Sequence, residues 1–220
     1  MNSDLQKKLL EQAEAAEKSR RHLEAIQFYA ELLEQTSAKS DEETTREARW
    51  TALREKGRIF TLLGEPEAAL AAFEQYFAEA GKSRHAVDAL VAIGNQCAYM
   101  NLTDRAIEAH RDALRLAENL NYTTGKAMAF GGMGLVYSFL DRSTDALTYL
   151  RKSLQLLEQV DDENEQARCW NRIGVAHVHL GELDKAVEAF QSAYRIASER
   201  DQFEPVALET AIISLNNLGE

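Results

Sequence analysis

Cysteine is scarce in this chain: Cys97 and Cys169 are the two examples in 220 residues, and they form no CxxC pair. A disulfide-stapled extracellular framework is therefore excluded, and the usage suits a reducing, cytoplasmic compartment. Proline is equally rare at 2 residues, and glycine is held to 11. Both are too few for a turn-rich all-β chain, so long helices are expected. No stretch approaches the ~18 consecutive apolar residues that a membrane span requires, and residues 1–8 lack the apolar core of a secretory leader. Positive charge is in deficit, with 25 Lys and Arg against 36 Asp and Glu and a net charge of −11. That balance argues against nucleic acid and anionic membranes as partners.

The deficit is uneven. Residues 1–45 carry 6 basic against 10 acidic side chains, and residues 158–220 carry 5 against 13, which leaves 46–157 near neutral at 14 against 13. A less acidic middle is a weak pointer to function there, and it also fits an ordinary solvated helical surface.

Catalytic and cofactor motifs are missing as well. There is no phosphate loop, nucleophile elbow or HExxH. His177 and His179 are two residues apart, so on a helix they point to different faces and cannot share a metal. His110 and His177 stand where other segments carry an aromatic residue, and Cys97 shares the register of His177. All three are expected to pack in the core. Neither enzyme activity nor a cofactor or metal is expected.

What the chain has is a repeat. A glycine is followed twelve positions later by alanine at Gly57 and Ala69, Gly94 and Ala106, Gly134 and Ala146, and Gly174 and Ala186, with the glycines 37, 40 and 40 residues apart. Each unit reads as helix, turn, helix. Trp50, Leu53, Gly57 and Phe60 form one stripe and Ala69, Phe73, Tyr76 and Phe77 the next, with Leu63-Gly64-Glu65-Pro66 between them. Trp170, Ile173, Gly174 and His177, then Leu180-Gly181-Glu182, then Ala186, Phe190 and Ala193 repeat the scheme. Ala13, Ala25 and Tyr29 make a degenerate first copy. Two helices joined by a tight turn approach closely only if no large side chain stands at their crossing, which explains the small positions. Ser40 with Glu43, and Asp161 or Asp162 with Glu165, are expected helix starts.

This pattern resembles the tetratricopeptide repeat, in which aromatic-x-x-Leu-Gly-x-x-Tyr precedes Ala-x-x-x-Phe-x-x-Ala. The period near 40 exceeds the usual ~34 residues. It resembles the long-repeat subgroup that includes Pins-type adaptors, kinesin light chains and bacterial peptide-sensing regulators. The fold expected is an all-α, right-handed α-solenoid forming one domain over 1–220. Repeats are expected at about 5–36, 48–81, 86–119, 126–159 and 166–200, with a terminal helix at 205–218.

The resemblance implies that the first helices of successive repeats line a concave groove for a protein or peptide segment. Offsets of −6, −3, +1, +4 and +5 from each glycine share one helix side. They give the candidate groove residues Arg54, Arg58, Asn95, Tyr99, Met128, Gly131, Leu135, Phe139, Arg168, Asn171 and His179, with Arg172 adjacent. Four arginines on an acidic protein suit an acidic partner segment with apolar anchors, although Glu55 and Glu165 stand close enough in sequence to balance them. Gly131 on this face would let a ligand backbone approach, or else marks a local bend.

Leu218-Gly219-Glu220 repeats the turn motif at the chain end, and Val206, Leu208, Ile212, Ile213 and Leu215 make the last helix apolar on several sides. The expectation is a longer array, a homodimer through that helix, or a tolerated apolar face. The function expected is a partner-binding adaptor, with a self-assembling module or a peptide-sensing regulatory domain as alternatives. On the acidic-partner reading, replacing Arg54, Arg58, Arg168 and Arg172 together by glutamate abolishes partner capture, measured by affinity recovery beside the wild-type chain.

Overall fold

Apolar side chains recurring every three to four residues fold the described residues into ten α-helices, with no strand among them. The computed structural model describes residues 3–36 and 42–198. The helices are α1 Ser3–Lys18, α2 His22–Gln35, α3 Glu43–Leu62, α4 Pro66–Ala80, α5 Arg84–Tyr99, α6 Thr103–Asn119, α7 Thr123–Phe139, α8 Ser143–Val160, α9 Glu163–His179 and α10 Leu183–Ser198. The expected helix at 205–218, with its homodimer contact, and the expected capping residue Ser40 lie outside the described residues. The chain divides into two compact units, residues 1–102 and 103–220.

In the first unit α1 pairs with α2, and α3 with α4. The first helices also touch in succession, α1 against α3 and α3 against α5. The core between α1, α2 and α3 is built on Ala13, Ala25, Tyr29, Leu32 and Ala52. One buried ion pair ties three elements together. Arg49 of α3 donates through Nε and Nη2 to both oxygens of Glu79 on α4, at 2.8 and 2.7 Å. Its Nη1 reaches the Leu33 and Thr36 carbonyls of the α2 end, each at 2.8 Å. Every donor of that guanidinium aimed inward thus meets an acceptor, which is the condition under which a buried ion pair is tolerated.

In the second unit α7 packs on α8 and α9 on α10, with α7 also against α9. Leu147, Leu150, Leu154, Ile173 and Ala176 fill the space between these helices. Asp162 caps α9, its Oδ1 accepting from the Glu165 N–H at 3.2 Å.

The turns share one construction. The Glu65 N–H donates back to the Phe60 carbonyl at 2.9 Å and the Gly64 N–H to that of Thr61 at 3.2 Å. This is a Schellman closure with a left-handed residue at its centre. Arg142 to Tyr137 and Glu182 to His177 repeat it, at 2.9 and 3.0 Å. The central residues are Gly64, Asp141 and Gly181, with φ of +72°, +55° and +71°.

The crossing points are tight. A Cβ added to Gly57 would lie 2.4 Å from the Phe73 ring, and one at Gly174 would lie 2.6 Å from the Phe190 ring. At Gly134 the neighbour is Leu150, at 2.6 Å. Each partner sits sixteen residues downstream, on the second helix of the same pair. Alanine would gain ~1 kcal/mol of helix propensity over glycine, but overpacking costs about 1–3 kcal/mol. Gly57→Ala and Gly174→Ala are therefore expected to destabilise the chain in urea unfolding, whereas propensity alone would make both stabilising.

Candidate functional site

The first helices of each unit carry the candidate residues. On the first unit, Arg54 is exposed and Arg58 half-buried, one turn apart on α3. Arg54 Nε donates to Glu55 Oε1 at 2.9 Å and Arg58 Nε to Glu55 Oε2 at 2.7 Å. Arg58 Nη2 also reaches Glu17 of α1, and Glu17 accepts from the Tyr29 hydroxyl at 2.7 Å. Burial opposes the charge on Glu55, but the hydrogen bond from Arg58 and the charges of both arginines outweigh it and hold the carboxyl below its usual range. These two arginines are thus already engaged.

On α5, Asn95 and Tyr99 present different chemistry. Asn95 Oδ1 is enclosed and accepts no hydrogen bond, an arrangement that costs about 1–3 kcal/mol. The neighbouring Gln96 is buried, accepting from Thr61 at 3.0 Å and so joining α5 to α3. Val91 and Ala98, assigned to the same face by their offsets, are buried at 3% and 7% exposure. The face is therefore not open along its whole length.

On the second unit, Met128 and Leu135 are half-buried on α7, and Asn171 and Arg172 are half-buried on α9. Arg168 is exposed and lies 3.7 Å from Glu165. His179 Nδ1 is 3.9 Å from Asp141. Gly131 is buried rather than open to a ligand backbone. The point its Cβ would occupy is 3.2 Å from Arg172 Nη1 and 3.3 Å from Ser153 Oγ, so the missing side chain makes room for the guanidinium. Gly132 is explained differently: its Cβ would fall 2.1 Å from the His110 ring. Phe130 and Tyr137 are half-exposed rather than buried. Tyr137 stacks on Tyr149 at 5.1 Å, and Arg142 lies 4.8 Å over its ring.

His110 is fully buried, and neither ring nitrogen has a hydrogen-bond partner. Burial, aided by the nearby charge of Arg172, pushes its pKa down to about 3, so the imidazole is neutral. His177 is buried too, with Nδ1 2.6 Å from Glu182. Cys97 and Cys169 are buried and form no disulfide. Burial pushes the Cys169 thiol up to about 11, far from the thiolate a nucleophile requires. Among the described residues no group of three or more His, Cys, Asp or Glu is placed to hold a metal. None of their helices is long and apolar enough to cross a membrane.

One exposed position recurs. Five residues after each crossing glycine stand Leu62, Tyr99, Phe139 and His179. The first three are 54%, 58% and 52% exposed, and the His179 side chain is 44% exposed. Leu62 was absent from the sequence-derived set, although its register is that of Tyr99 and Phe139 and would have found it.

Residues 125–199, nearly all of α7–α10, match a model of the tetratricopeptide repeat. Among solved structures the chain is similar to a Rap protein complexed with competence and sporulation factor, at 17% identity and a TM-score of 0.70. That likeness covers 85% of this chain and 52% of the Rap protein, so the chain spans about half the latter's length. BtubC from P. vanneervenii is similar at 14% identity and a TM-score of 0.64, over 88% of this chain and 80% of its own. MamA from residue 41 to its end, from Desulfovibrio magneticus RS-1, is similar at 15% identity and a TM-score of 0.55, over 90% and 98%. No curated protein matches by sequence. These likenesses concern the fold, an all-α solenoid of helix–turn–helix repeats.

The unpartnered His110 has a measurable consequence. Its folded pKa is depressed, so the stability that its neutral form contributes is complete above its unfolded value of about 6.5 and is lost as pH falls toward 3, by ~1.4 kcal/mol per pH unit. His110→Phe places in this slot the residue found at Phe73 and Phe190. Urea unfolding between pH 7 and pH 4 is expected to show the variant more stable at every pH, with the difference widening as pH falls.

Proposed function

We propose that this chain is a non-catalytic adaptor that captures a segment of a partner protein along its first helices; its residues 125–199 belong to the tetratricopeptide repeat family, and its fold is that of tetratricopeptide-type repeat proteins. The observation that carries this reading is the recurring exposed position at Leu62, Tyr99, Phe139 and His179. Packing does not require large apolar or aromatic groups there, since each leaves close to half or more of its surface in water. Exposed rings and branched chains at a fixed register are the anchors that a bound segment needs.

The partner segment on this reading carries apolar anchors and an acidic group. Support comes from the basic side chains Arg54, Arg58, Arg168 and Arg172 on an otherwise acidic chain. A cytoplasmic address accompanies it, consistent with two buried cysteines that form no disulfide. The Rap protein that shares this fold is itself complexed with competence and sporulation factor, a precedent for a bound factor in a protein with this fold.

The test is selection of short random peptides on the wild-type chain, followed by titration of synthetic binders against a variant carrying Leu62→Ser, Tyr99→Ser and Phe139→Ser. Affinity is expected to fall roughly tenfold or more, as for truncated interface anchors, with little change in thermal midpoint because all three positions are largely exposed. Undiminished binding by the triple variant would overturn the reading.

A further inference from the structure

The packing of α7 on α8 places two phenols side by side. Tyr137 and Tyr149 stack with ring centroids 5.1 Å apart and an interplanar angle of 5°. Their hydroxyls share a hydrogen bond, so the rings point the same way and do not lie head to tail. The carbons that flank each hydroxyl are therefore brought beside those of the other ring. Both residues are half-buried, so the pair is held by its neighbours and still reached by small solutes. Tyr29 and Tyr76, by contrast, are buried at 1% exposure.

A phenol that loses one electron together with its proton becomes a neutral radical. The unpaired spin is shared between the oxygen and the ring carbons, including the two beside the hydroxyl. Two such radicals held in contact couple at those carbons. The surroundings favour this course. Arg142 lies 4.8 Å over the Tyr137 ring and Lys152 lies 5.5 Å over that of Tyr149. Positive charge so close opposes a positively charged ring, so the electron leaves with its proton. The thiols, which an oxidant attacks first where they are exposed, are shielded: Cys97 and Cys169 are 0% and 3% exposed.

We propose that Tyr137 and Tyr149 are an oxidative cross-linking site, at which a peroxide acting through a catalyst of the haem-peroxidase class joins α7 to α8. Each phenol gives up one electron and one proton. The two radicals pair to form a carbon–carbon bond between the positions beside the hydroxyls, and the proton on each joined carbon moves to the oxygen of its own ring. The peroxide O–O bond breaks, takes up the two electrons and two protons, and leaves as two waters. The link closes the turn between the helices into a ring, which lowers the entropy of the unfolded chain and so favours the folded pair.

The test treats the wild-type chain at low concentration with hydrogen peroxide and a haem peroxidase. Dityrosine fluorescence is read on the single-chain species, followed by mass analysis of its tryptic peptides. Cleavage after Arg142 puts Tyr137 in 127–142 and Tyr149 in 143–151. An internal link is expected to appear as these two peptides joined, lighter than their sum by two hydrogen atoms. The thermal midpoint of the linked chain is expected to rise by roughly 5–10 °C. Tyr137→Phe and Tyr149→Phe each keep both rings and lack one phenol. Both are expected to fold with little change in midpoint and to lose the single-chain fluorescence. Recovery of the two peptides unjoined from the oxidised wild type would overturn the site, as would links made through other tyrosines in their place. Undiminished single-chain fluorescence in either variant would do the same. An unchanged midpoint in the linked chain would overturn its role as a staple of the pair.

Discussion

Everything in this fold depends on how closely two helices can approach at one residue. At Gly57, Gly134 and Gly174 the partner side chain occupies the space where a Cβ would stand. The two helices of a pair are therefore locked at a separation that only glycine permits. Each such glycine forfeits ~1 kcal/mol of helix propensity. Burying Phe73 or Phe190 against it returns on the order of 1.5–3 kcal/mol, so the exchange favours the close crossing. A hairpin made this way still has an apolar outer side. That side is covered only when the next hairpin stacks on it, which is why the unit must be repeated.

Charge is deployed on two levels, and position decides which. Arg49 and Glu79 are nearly sealed from water, and every inward-facing donor has an acceptor, so that pair acts as a joint between α2, α3 and α4. Glu55 of α3 is more exposed to water than Arg49 and gathers Arg54 and Arg58 into a cluster that also reaches Glu17. Removing one partner of the first set strands a buried charge, while the second set can exchange partners with solvent.

The register of small residues was legible because a steric requirement imposes residue type at fixed spacing, as with Gly57 and Phe73 or Gly174 and Phe190. The turns were only half legible. Gly64 and Gly181 announced themselves, but Asp141 fills the same left-handed position using a side chain that tolerates it. Pairing across helices left no trace in the sequence. Arg58 meets Glu17 at a separation of 41 residues, and no local spacing encodes that. Gly131 misled for the same reason: its offset placed it on an open face, whereas the side chain covering it comes from Arg172, on another helix.

The same contrast bears on recognition. The crossing residue is glycine at Gly57, Gly134 and Gly174, whereas the exposed position five residues after each repeat glycine runs Leu62, Tyr99, Phe139, His179. Nothing in the core demands that these four differ, because none of them is needed to fill it. On the proposed reading they are where successive repeats of one architecture become distinguishable to a partner. Specificity would then reside in which anchor each repeat presents. A partner that recognises one repeat then need not recognise the next, because the apolar or aromatic group offered at this position changes in size and polarity from pair to pair.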